Sequence, residues 1–180
     1  MVTLGNSRKS KFWIKKLQLT QHPEGGFYRE TYRSDLAINF PTKREHRSQS
    51  DRVPSRSISS TIYYLLEGGQ KSMFHRMKNS DEIWHFYTGS SLTLYVINKI
   101  TRGISELKLG TEPEKGELFQ ILIKRGSWFG AIVNDLTSYA LVGCAVFPAF
   151  SFADFELADR RRLTMLYPSH KTIIEMLTWP

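Results

Sequence analysis

From Ser57 onward the chain is a succession of short segments rich in β-branched and aromatic residues, each ended by a glycine turn or a polar bend. SISSTIYYLLEGGQ reads as a strand closed by Gly68 and Gly69, and KSMFHRM and DEIWHFYTG as two strands joined by a bend. SLTLYVIN alternates Leu92, Leu94 and Val96 with Ser91, Thr93 and Tyr95, the period of a strand with two different faces. LFQILIKRGSWFGAIV and SYALVGCAVFPAFSF continue the series. Many short strands at this spacing predict a sandwich or barrel.

The 180 residues suit one domain, 1–180, with its core between about residues 17 and 177. Before the strands, Phe12, Trp13, Ile14 and Leu17 lie on helical spacing among lysines and predict a short amphipathic helix over Ser10–Leu19. A Pro-Glu-Gly-Gly turn, Pro23 to Gly26, leads into an extended segment with Phe27, Tyr28, Thr31 and Tyr32. Residues 41–56 are polar, charged and interrupted by prolines, and are expected to form a mobile loop. The tail YPSHKTIIEMLT reads as a helix started by Pro168 and Ser169, with Ile173, Ile174 and Leu177 on its apolar face. The acidic stretch FADFELADRRR reads as a solvated edge or an interface.

Composition excludes several classes. The only cysteine, Cys144, cannot build a disulfide framework and is expected to be an inert buried thiol, which favours a reducing, cytoplasmic location. KFWIKKLQL is interrupted by lysines and cannot be the apolar segment of a signal peptide. No apolar run approaches the ~18 residues of a membrane span. The net charge is +8, but the basic clusters at 8–16, 43–56 and 160–162 form no recognition helix, zinc finger or basic–aromatic ribbon. Nucleic acid is therefore not the expected partner. Such a surface equally suits an anionic metabolite.

The chemistry concentrates in GQKSMFHRMKNSDEIWHFYTG, where His75 lies six residues after Gly69, Glu82 seven after His75, and Gly89 seven after Glu82. Two strands joined by a bend each aim side chains into one lumen. His75 and Met77 then share a face, as do Glu82, Trp84 and Phe86, while His85 and Tyr87 point away unless a bulge intervenes. The spacing resembles the first cupin motif, in which a second histidine stands where this chain has Met77. The blocks HPEGGFYRETYRS, SSTIYYLL, FHRMKNSDEIWHFYTG, SYALVGCAVFPAFSFADFEL and YPSHKTIIEML are similar to the Cupin_5 family of the RmlC-like cupin superfamily, over about residues 17–177. The resemblance implies an all-β double-stranded β-helix (jelly roll) with short terminal helices, commonly a homodimer. It implies no settled reaction.

Two departures bear on cofactors. Met77, and Phe129 in IKRGSWFGAI, stand where metal-binding cupins carry histidines. His75 and Glu82 alone fall short of the three or four protein ligands a transition metal takes, and His85 joins them only if its strand is irregular. No cofactor is therefore expected. The leading expectation is a metal-independent isomerase or epimerase on a sugar-like or keto metabolite, by fold analogy. His75 would transfer the proton, Glu82 would orient it or act as second acid/base, and Tyr63 or Arg29 would stabilise negative charge. Tyr28, Arg29, Trp84, Phe86, His85 and Trp128 are the candidate substrate contacts, Arg29 as a clamp for carboxylate or phosphate. A non-catalytic metabolite-binding cupin and a metal-dependent lyase or oxygenase are the alternatives.

Overall fold

The computed structural model describes residues 4–39 and 55–180. A helix, α1 (Leu4–Lys16), precedes strands β1 (Thr20–Gln21), β2 (Phe27–Arg33), β3 (Ala37–Asn39), β4 (Ser55–Ser57), β5 (Ser60–Glu67), β6 (Lys71–Met77) and β7 (Asp81–Gly89). There follow β8 (Leu92–Ile97), β9 (Ile104–Leu109), β10 (Glu117–Leu118), β11 (Gln120–Ile123), β12 (Trp128–Val133), β13 (Tyr139–Phe147) and β14 (Phe155–Leu157). Two helices, α2 (Arg160–Leu166) and α3 (Lys171–Met176), close the chain.

The strands form two six-stranded sheets, in the orders β1-β2-β5-β13-β7-β11 and β10-β9-β8-β12-β6-β14. From β5 to β8, and again from β11 to β14, consecutive strands alternate between the sheets, the winding of a jelly roll. Between the inner faces lie fully buried Leu66, Leu92, Leu94, Phe129 and Val142, with Trp84 and Tyr64 toward one end. Each such apolar side chain contributes roughly 1.5–3 kcal/mol by leaving water.

Helices pack on part of each outer face. Trp13, Ile14 and Leu17 pack on Leu65 and Leu141 of the first sheet, and the Trp13 indole N–H donates to the Tyr139 hydroxyl at 3.0 Å. The predicted helix over Ser10–Leu19 is in fact Leu4–Lys16. It ends earlier because Gln18 adopts a left-handed φ of 53°. The Leu19 and Gln18 amides then close back on Ile14 and Lys15 at 2.9 and 3.2 Å, a Schellman end. On the second sheet, Leu163, Ile174 and Leu177 cover Phe74, Ile97 and Trp128.

The acidic stretch contains β14, which is the edge strand of the second sheet, and the start of α2. Asp159 caps that helix, its carboxylate accepting the Arg162 amide at 2.7 Å. The expected terminal helix is shorter than its sequence pattern, with a 3₁₀ turn at Pro168–His170 before α3. The expected mobile loop, 41–56, lies outside the described residues as far as residue 54. Its last residues, Ser55 and Arg56, belong to β4. Among the described residues no helix is long and apolar enough to cross a membrane.

Candidate functional site

Strand register sets the inner face of the first sheet in rows. Tyr28, Tyr64, Val142 and Phe86 stand opposite one another on β2, β5, β13 and β7. The next row is Glu30, Ile62, Cys144 and Trp84, and the third is Arg33, Ser60, Val146 and Glu82. His75 and Met77 of β6 face these rows from the second sheet. Together with the segment Phe150–Phe155, they enclose a cavity of about 220 Å³. At about 30 Å³ per water, that is room for roughly seven waters, hence for a small metabolite. Tyr28, Tyr64, Trp84, Phe150, Phe152 and Phe155 give it aromatic walls. His22, Glu24, His75 and Glu82 supply its buried polar groups, whereas Glu30, Arg33 and Phe152 lie at its exposed rim.

Glu24 reaches this interior because the turn bearing it docks directly on β6. Gly25 has φ +109°, and a Cβ there would run into the Lys71 carbonyl oxygen. The Met73 amide donates to the Glu24 carbonyl at 2.8 Å. The Glu24 carboxyl then lies between His75 Nε2 at 3.1 Å and His22 Nδ1 at 3.5 Å. The Ser72 hydroxyl donates to its other oxygen at 2.9 Å. The sequence marked Glu24 only as part of a turn, and it gave no sign of His22 or Ser72 as site residues.

The protonation pattern follows from the acceptors. The Met73 carbonyl, 2.8 Å from His75 Nδ1, can only accept, so Nδ1 carries a proton, and the other ring nitrogen, Nε2, faces the Glu24 carboxyl. Burial raises the Glu24 pKa, opposed by His22 and by the Ser72 hydrogen bond. Burial lowers that of His75, opposed by the charge of Glu82 and the Met73 bond. Both shifts favour one proton held on Glu24 and shared with Nε2. Burial likewise lowers His22, whose Nδ1 accepts the Glu24 amide at 3.3 Å. Glu82 does not orient His75 through a hydrogen bond. Its carboxylate accepts the Trp84 indole N–H at 2.8 Å, and burial pushes its pKa up to about 7, with His75 as the main opposing influence.

Several predicted site residues lie elsewhere. Tyr63 and Arg29 are register partners on the outer face; on β5 it is the neighbouring Tyr64 that enters the pocket, beside the predicted Tyr28, and donates to the Gly25 carbonyl at 2.8 Å. His85 also faces outward, in a shallow depression with Tyr63, Tyr87 and Thr61. The bulge in β7 falls only after Phe86, too late to turn His85 inward. Trp128 faces away from the lumen into the helix-covered core, with the Arg76 guanidinium 4.5 Å from its ring. Phe86 points inward but packs in the core beyond the cavity. Arg29 faces outward by plain alternation with Tyr28 and Glu30, whereas Arg33 lines the pocket because a bulge between Glu30 and Tyr32 reverses the alternation of β2 after it. Cys144 is a pocket-lining thiol whose pKa burial raises far above the usual range.

Metal ligation finds a poor donor set. His22 Nδ1 is occupied by the Glu24 amide, the Phe129 ring lies 4.1 Å from that of His75, and Met77 offers only a thioether. Among the described residues no group of three or more His, Cys, Asp or Glu side chains is placed to hold a metal ion.

Comparison with known proteins places this architecture. The Cupin_5 family, described as Cupin superfamily (DUF985), matches residues 11–158. The crystal structure of a Shewanella oneidensis protein superposes with a TM-score of 0.81 at 39% identity, over 94% of this chain and 97% of that one. A hypothetical protein from Leishmania major gives 0.80 at 33% identity, over 94% and 98% of the two chains. An uncharacterized protein of Saccharomyces cerevisiae is 27% identical over 145 residues, 78% of this chain and 71% of that one. The alternating strands and paired sheets are thus those of a cupin, and the chain belongs to the Cupin_5 family.

Proposed function

We propose that this cupin is a metal-independent enzyme that moves a proton on a small sugar-like or keto metabolite, as an isomerase or epimerase does. The observation that carries the reading is the 3.1 Å contact between Glu24 Oε2 and His75 Nε2, buried beside a cavity into which Glu82 also projects. A C–H next to a carbonyl needs one group to take its proton and another to return a proton to carbon or to oxygen. The Glu24–His75 pair is one such group. Glu82, with its pKa near 7, is half protonated at neutral pH and suits the other.

The test is deuterium wash-in. A panel of small keto acids, aldoses and ketoses is incubated with the protein in D₂O, and loss of C–H signal is followed by NMR. Catalysed exchange that disappears in His75→Gln supports the reading. Binding of a panel member without exchange would instead identify a metabolite-binding cupin.

We also infer a homodimer. Leu122, Tyr87 and Phe147 are exposed on the outer face of the first sheet, where no helix of the described chain covers them. Sedimentation of the purified protein at micromolar concentration checks this.

A further inference from the structure

Arg33 and Glu82 are at opposite ends of one row, joined through Ser60 and Val146. Three strand spacings separate their backbones by roughly 14 Å, and their side chains close on the cavity from the two ends. Arg33 faces inward only because of the bulge after Glu30, a device that re-aims a side chain. Its guanidinium is held in place: Nε–H and Nη2–H donate to the two Glu30 oxygens at 3.0 and 2.6 Å, and Nη1–H to the Phe150 carbonyl at 3.2 Å. A guanidinium has five N–H donors. Two are therefore uncommitted among the described residues, on a group that lines the pocket.

We propose that the ligand of this pocket is anionic, and that Arg33 binds its carboxylate or phosphate at the rim while its other end lies at Glu24, His75 and Glu82. The choice of reacting end rests on the proton-transfer reading; the anion site does not. Glu30 and the Phe150 carbonyl fix the plane of the guanidinium, so an arriving oxyanion meets oriented donors at a reduced ordering cost. The net charge of +8 draws anions toward the molecule. The short row sets the length of the ligand, because both ends must fit between Arg33 and Glu82.

The test uses three small probes that differ in one group: glycerate, glycerol 3-phosphate and glycerol. Calorimetric titration of the wild type should show at least one of the two anions binding tenfold or more tightly than glycerol. Which anion wins distinguishes a carboxylate from a phosphate ligand. Arg33→Gln should abolish the preference, and Arg33→Lys should restore part of it by returning charge without the fork. His75→Gln should leave the preference intact, so a failed catalytic reading and a failed anion site give different results. Melting curves confirm that each variant is folded. Anions that bind no better than glycerol, or not at all, overturn the proposal. So does a preference that survives in Arg33→Gln.

Discussion

The Glu24 carboxyl meets His75 Nε2 at 3.1 Å while the opposite ring nitrogen of His75 is tied to the Met73 carbonyl. The Nδ1 proton is therefore fixed by the carbonyl, and Nε2 is aimed at a buried acid. Nitrogen-15 NMR should show His75 neutral and protonated at Nδ1 at pH 7, remaining so below the ordinary histidine pKa of 6.5 because burial lowers it. A doubly protonated His75 at pH 7 would sink this description.

Glu82 makes stability depend on pH. Its folded pKa of about 7 lies above the ordinary 4.5, so the folded state holds this proton more tightly than the unfolded chain. The resulting stabilisation is complete below pH 4.5 and is lost as pH rises through 7. The lowered histidines act in the opposite sense: their contribution is present above pH 6.5 and is lost as pH falls through their folded values. Urea melts from pH 4.5 to 8 should show Glu82→Gln gaining on the wild type by on the order of 3 kcal/mol as pH rises. Parallel curves would mean that Glu82 titrates normally.

Gly25 is the hinge on which Glu24 enters the site. Gly25→Ala places a side chain at φ +109° and drives it into the Lys71 carbonyl. A loss of roughly 1–3 kcal/mol from backbone strain is expected, together with a perturbed His75 signal. Tyr63→Phe, on the outer face, should leave both the His75 signal and catalysed exchange unchanged. The reverse pattern would place the wrong tyrosine at the pocket.

Metal content separates this reading from a metal-dependent lyase or oxygenase. Protein purified without chelator should carry less than about 0.1 transition metal per chain, and EDTA should leave exchange unaltered. Stoichiometric metal whose removal abolishes exchange, and whose return restores it, would reverse the assignment.

Much of the fold is legible in the sequence because period-2 alternation and glycine turns are local signals. The Gly69–His75–Glu82–Gly89 spacing likewise brings His75 and Glu82 to one lumen. The errors arise where a nonlocal or subtle feature decides. STIYYLLE is apolar on both faces, since α1 covers its outside, so alternation does not tell Tyr63 from Tyr64. One extra residue in β2 turns Arg33 inward, which alternation alone would point away from the lumen. Glu24 meets His75 only because a turn from one part of the chain docks on a strand from another. Trp128 belongs to a core formed by helices whose extent the charged stretch before them concealed.

The central claim is that Glu24 and His75 act as one proton-transferring unit. It is tested most directly by a double-mutant comparison of deuterium wash-in on the best substrate of the panel. Glu24→Gln and His75→Gln should each lower exchange by about 10²-fold or more, and the double variant should be no worse than the poorer single one. Single variants that keep wild-type exchange, or losses that multiply in the double variant, would contradict it.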